Sequence, residues 1–241
     1  MTKRRIIVIA LILMVLLGVG GGIAFLIHRN KPEKVLIRAK MALRMKEYAK
    51  AVDYAMTYRA KRPQDWMGYY VQAEAYMGLA EYPKAREPLK KALEFEPQRI
   101  NLHLALADTY ARPARRALAT DTKGWPAEDI RKHIDAIREG NTTLAGVRIE
   151  PAADASPEER EQARVAQLDL VQYLGINEIN MGLGYQLMEE RYKADAERAE
   201  QSNLADLKKN SEAGAKEAAK FAEQFTQSGM DKLLQVVTKE I

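Results

Sequence analysis

The chain opens on an unbroken apolar run, IIVIALILMVLLGVGGGIAFLI, over residues 6–27. At about 1.5 Å rise per residue, a helix of this length spans about 33 Å, enough to cross the hydrocarbon core of a bilayer. Lys3, Arg4 and Arg5 precede it, and His28, Arg29 and Lys31 follow. The pattern predicts a basic tail over 1–5 and a transmembrane anchor over 6–27. A cleaved signal peptide competes, because Gly22 and Ala24 suit a cleavage site. The apolar run nevertheless exceeds the usual signal-peptide core and continues through Phe25, Leu26 and Ile27. Gly18 and Gly22 form a small-residue face that admits a second helix.

After residue 28 the hydrophobic spacing changes to a helical period, and few β-branched runs remain. Ala, Leu, Glu, Lys and Arg dominate, which favours helix over strand and predicts an all-α protein. A shift of 34 residues places Ala39 on Ala73, Tyr48 on Tyr82, Ala51 on Ala85 and Pro63 on Pro97, with Ala107 one further period on. The second copy carries the fullest set: Ala73, Tyr76, Tyr82, Ala85, Leu89, Ala92 and Pro97. Small residues suit close backbone approach, aromatic and aliphatic ones fill the space around it, and proline ends each unit. The spacing is a packing layout, with no base, nucleophile or oxyanion partner at a fixed offset.

These residues at this period resemble the tetratricopeptide repeat family. The resemblance implies a right-handed superhelix of paired helices over 28–151, in about three copies. Two residues depart from it: Trp66 stands three places before the family's usual Trp, and Gly78 two places before the turn glycine. The first copy, 32–65, has Tyr58 where a small residue is usual. In the third, Pro113, Gly124 and Pro126 interrupt the phase. There Gly146 precedes Pro151 by the interval that separates Ala92 from Pro97, while Gly140 and Asn141 threaten to divide the second helix. Asn141–Thr143 also spells a glycosylation triplet.

Residues 152–241 are expected to form long amphipathic helices that cap the repeats or assemble with another chain. Ser156 reads as an N-cap, with proline next and acids in the first turn. Val165, Leu168, Val171, Leu174, Ile179, Leu183 and Leu187 then continue the period, as one helix or as two meeting at Gly175. Ser202 or Asn203 is expected to begin the last helix.

Charge refines the picture. Residues 28–66 carry a balance of +7 and residues 150–241 one of −7, within a net charge of +5. The basic start adjoins the apolar run and lacks a nucleic-acid motif, so lipid headgroups explain it and no nucleic-acid partner is expected. Seven Lys/Arg between Arg29 and Lys46 favour a cytoplasmic domain, but the short basic tail resembles a signal anchor that sends the domain across. The combined reading is a single-pass protein of a bacterial inner membrane with an exported repeat domain.

The chain has no cysteine, which excludes disulfides and thiolate chemistry. His28, His103 and His133 lack metal-ligand spacing, and GLGYQ (182–186) follows no strand, so no phosphate loop is read there. No enzymatic activity, cofactor or metal is expected. The family resemblance implies a ligand groove lined by the first helix of each copy: Leu36, Lys40, Leu43 and Arg44; then Met67, Tyr70, Glu74 and Met77; then Leu104, Asp108 and Arg112. Leu36, Val71 and Ala105 stand where carboxylate-clamping members need polar residues, so a peptide segment held by apolar pockets fits better. The terminal helices are the competing occupant of that groove. The reading is thus a protein-binding scaffold or adaptor that serves the assembly or chaperoning of envelope proteins, with a homo-oligomer allowed. The alternative is a structural subunit of a larger membrane complex that assembles through its C-terminal helices.

Overall fold

The computed structural model describes residues 31–120, 122, 124–151 and 153–240. Among them lie eight α-helices and no strand: α1 (Pro32–Arg44), α2 (Tyr48–Lys61), α3 (Trp66–Gly78), α4 (Tyr82–Phe95), α5 (Ile100–Leu118), α6 (Ala127–Thr142), α7 (Pro157–Gln201) and α8 (Ala205–Glu240). The expectation of an all-α chain holds for these residues. The expected anchor over 6–27, with Gly18 and Gly22, lies outside them.

Among the described residues no helix is long and apolar enough to cross a membrane. That finding corrects the transmembrane and signal-anchor parts of the expected architecture, and with them the single-pass bacterial inner-membrane localisation. The physical reason is polarity. Even the least charged stretch of α7, residues 170–188, holds Gln172, Asn177, Glu178, Asn180 and Gln186. One charged side chain at the centre of a span costs about 3 kcal/mol.

The helices recur at the sequence period. α1, α3 and α5 begin at residues 32, 66 and 100, and α2 and α4 at 48 and 82. Their ends match as well: Arg62 closes α2 at φ −136°, ψ 69°, and Glu96 closes α4 at −132°, 67°. Glu47 and Glu81, the residues before α2 and α4, each accept from a lysine three places on, Lys50 and Lys84, at 2.9 Å.

The chain divides into two compact units, one ending at Leu79 and the other beginning at Ala80. In the first, the turn at 45–47 folds α2 back along α1, and α3 packs on both. Ala39, Ala51, Ala55 and Ala73 are fully buried, so the backbones approach where side chains are smallest. Gly78 leaves room for the ring of Tyr48, which explains a glycine two places short of the turn. The turn position itself is Ala80, at φ 59°.

In the second unit each helix from α4 to α8 packs on the next, and α7 also packs on α5. The core gathers Ala111, Leu118, Ile130, Ile134, Ile137, Met181, Tyr185 and Met188, with Phe225 stacked on Tyr185 and Phe221 tilted beside it. Full burial of each large side chain stabilises by roughly 2 kcal/mol. The expected boundary after residue 151 is therefore bridged, because α7 shares a core with α5 and α6. Ser156 accepts from the Glu159 amide at 3.2 Å, and the Glu159 carboxylate accepts from the Ser156 amide at 2.7 Å, so a capping box starts α7.

Two expected interruptions are absent, and of the two alternatives at Gly175 the single helix is the one that forms. α5 continues through Pro113, α6 through Gly140, and α7 through Gly175. Proline at 113 removes the donor for the Thr109 carbonyl, and the Arg86 guanidinium donates to that oxygen at 3.4 Å. Gly140 is a contact site: a Cβ there would lie 2.8 Å from the Ala107 carbonyl oxygen. Asn203 does not begin the last helix; it ends α7 at φ 56°, and the Leu204 amide returns to the Ala199 carbonyl at 2.8 Å.

Candidate functional site

In the first unit, α1 and α3 lie side by side and present the first two groups of expected groove residues. Leu36, Leu43 and Met67 are half-buried around the core of Ala39, Ala55 and Val71. Lys40 and Arg44 stand exposed on the same helix as the two leucines. Tyr70 is half-buried, with the Trp66 ring centroid 6.0 Å from its own. Burial, with the Glu74 carboxylate beside it, pushes the Tyr70 phenol up to about 12. Met77 is buried and belongs to the core. The result is an apolar surface edged by two cations, a phenol and a carboxylate, which suits a peptide side chain flanked by charge.

The third group lies in the second unit and is engaged differently. Leu104 is half-buried and Arg112 exposed, but Asp108 is buried and pairs with Arg112 and with Arg115, the latter at 2.6 Å. Arg115 also donates to the Asn177 side-chain oxygen. Asn177, fully buried, donates to Asn141 at 2.5 Å. Tyr173 closes the cluster: its hydroxyl donates to Asp108 at 3.5 Å, and the Arg115 guanidinium lies 5.2 Å from its ring centroid. Burial first, and then the charge of Asp108, pushes the Tyr173 phenol up to about 12. Asp108 thus joins α5 to α7, and the glycosylation-triplet asparagine is held by its own chain.

The expected packing residues occupy their places. Ala39, Ala51, Ala73, Ala85, Leu89 and Ala92 are completely buried, while Tyr48, Tyr76 and Tyr82 are half-buried. Pro63 and Pro97 lie exposed at the ends of α2 and α4. Each proline carbonyl accepts a hydrogen bond from the next helix: Tyr69 donates to Pro63 at 2.9 Å, and His103 Nε2 lies 2.7 Å from the Pro97 oxygen. Because a carbonyl only accepts, His103 carries its proton on Nε2. Tyr69 and His103 are themselves 34 apart, a correspondence missed because one is a phenol and the other an imidazole.

His133 packs beside Trp125, with ring centroids 5.2 Å apart, and burial lowers its pKa. Among the described residues no group of His, Asp and Glu is placed to hold a metal ion. On the α1–α3 face the exposed Lys40 and Arg44 share a helix with the half-buried Leu36 and Leu43, which makes this face the candidate surface. Comparison with family models, curated proteins and solved structures finds no match to this chain.

Proposed function

We propose that this chain is a helical-repeat scaffold of the tetratricopeptide type, which binds a peptide segment of another protein on the face formed by α1 and α3. The observation that carries the reading is the recurrence of helix starts at 32, 66 and 100, with matched turns between them. A 34-residue helical hairpin stacked on copies of itself makes surface by repetition, and such surfaces serve recognition. The α1–α3 face supports the same reading through Leu36, Leu43, Met67 and Tyr70, with Lys40 and Arg44 favouring an acidic neighbour in the bound segment.

A displayed library of random peptides, selected on the full chain, tests the proposal. Selected peptides are expected to combine an apolar or aromatic residue with an acid. They should lose at least tenfold in affinity, about 1.4 kcal/mol, for Tyr70→Ala and Arg44→Glu, and keep it for Lys90→Glu on α4. Equal binding to all three variants would remove the α1–α3 face from the account.

A further inference from the structure

The hairpin of α7 and α8 has an outer face that its own fold leaves open. The two helices meet through small residues. A Cβ on Gly175 would lie 3.0 Å from the Gly229 carbonyl oxygen, and one on Gly182 would lie 3.1 Å from that of Ala222. The residue before such a contact turns toward α6: Met181 and Phe221 both join the core around Ile134. The residue after it lies about 100° further round the helix and turns away. Ile176, Leu183, Met230 and Val237 follow Gly175, Gly182, Gly229 and Val236 in this way. With Leu234 they are between 38% and 57% exposed.

Because the helices run antiparallel, these side chains lie on one side of the hairpin, opposite the α5–α6 layer. Glu200 pairs with Lys208 near the turn, and Glu178 with Lys232 farther out. Those pairs set the levels: Ile176 stands level with Met230, Glu190 with Lys216, and Glu197 with Lys209. The same face therefore has a mainly apolar half, which Glu223 interrupts after Ala222, and a charged half, in which Glu190 and Glu197 of α7 lie level with Lys216 and Lys209 of α8. All four of those charged side chains are exposed.

We propose that this face binds a second copy of the chain, the two hairpins stacking into a four-helix bundle about a two-fold axis parallel to the helices. Such an axis lays α7 of each copy over α8 of the other at the same level. Ile176 then meets Met230 of the second copy, and Glu190 and Glu197 meet Lys216 and Lys209. Ile176 on Met230 covers apolar surface, and Glu190 and Glu197 each face a base, as a self-complementary interface requires, while the exposed Glu223, which follows Ala222, stands opposite Leu183 at the middle of the face. The opposite pairing, α7 on α7, would set acid against acid.

The absence of native cysteine makes a position-specific test direct. Full-length Ile176→Cys and Met230→Cys chains are mixed and oxidised. Cross-linked dimer is expected in the mixture at least fivefold above either variant alone, and above a mixture with Ala60→Cys on α2. This readout separates the α7–α8 face from association through any other part of the chain. Lys216→Glu should lower the cross-link yield several-fold, and Glu190→Lys added in the same chain should restore it. Equal cross-linking of Ile176→Cys with itself would overturn the arrangement. A mixture no better than background, with helical content intact by circular dichroism, would overturn the interface.

Discussion

Tyr58 packs against Gly68: a Cβ on that glycine would lie 2.7 Å from the Tyr58 Cδ1 atom. One period later the sizes are exchanged, with Ala92 in the place of Tyr58 and Leu102 in that of Gly68, all but fully buried. The large residue that departs from the family pattern in the first copy is thus accommodated by a small one ten residues on. Tyr58 also donates to Asp65, the N-cap of α3, whose other carboxylate oxygen accepts from the Met67 amide at 2.9 Å.

Gly68→Leu is expected to destabilise by about 1–3 kcal/mol through overpacking. Tyr58→Ala should cost about 3–5 kcal/mol through the cavity it leaves. Combined, the two reproduce the pairing of the second copy and should cost at least about 1 kcal/mol less than their sum. Urea denaturation of the four chains measures the coupling. Strict additivity would show that the tyrosine and the glycine do not compensate each other.

Lys46 and Ala80 share a left-handed backbone, φ 59° in each, one period apart. At Lys46 the Glu47 amide reaches the Ala42 carbonyl at 2.8 Å, and the Lys46 amide that of Leu43 at 3.0 Å, the hydrogen bonds of a Schellman turn. That backbone costs a side-chain-bearing residue about 1–2 kcal/mol, and glycine adopts it without the penalty, at some loss of unfolded-state restraint. Lys46→Gly and Ala80→Gly should each raise stability by up to about 1 kcal/mol. Ala49→Gly, at an exposed position inside α2, should lower it by about 1 kcal/mol. Thermal melts that fall for all three would show that the turns are not strained.

The helices were legible because their signals are local and repeat. Ala39, Ala73 and Ala107 mark one period, and prolines at 63 and 97 mark the unit ends. What was illegible depends on partners far along the chain. Pro113 reads as a break until Arg86 is found donating to the carbonyl it deprives. Gly146 echoes the small residue before a proline, yet a Cβ there would meet nothing within 4 Å, and the close approach falls at Gly140 against Ala107. Gly175 leaves one helix or two equally open in the sequence, and it is a contact between α7 and α8. At the candidate site, repeat position brought Leu36, Leu43 and Met67 onto one core cluster of the first unit. The same rule placed Asp108 in a groove, where Arg115 and Tyr173 instead hold it, and no local pattern links residue 108 to residue 173.

Asp108 and Tyr173 together yield a dependence on pH with a definite sign. The folded phenol of Tyr173 is pushed from 10 up to about 12, so between those values the folded chain keeps a proton that the unfolded chain releases. The stability it contributes is complete below pH 10 and is lost as pH rises toward about 12. Tyr173→Phe has no such proton. The stability difference between wild type and Tyr173→Phe should therefore be constant up to pH 10 and shift against wild type above it. Phenolate absorbance of the folded protein, taken as the difference between the two chains, should show Tyr173 titrating near 12. Asp108→Asn distinguishes the causes. Burial is the larger cause and the carboxylate the smaller, so removing the charge should lower the midpoint of Tyr173 while leaving it above 10. A midpoint at 10 in wild type would mean that the phenol is solvated and that α7 does not seat on α5. A midpoint at 10 only in Asp108→Asn would make the carboxylate, and not burial, the principal cause.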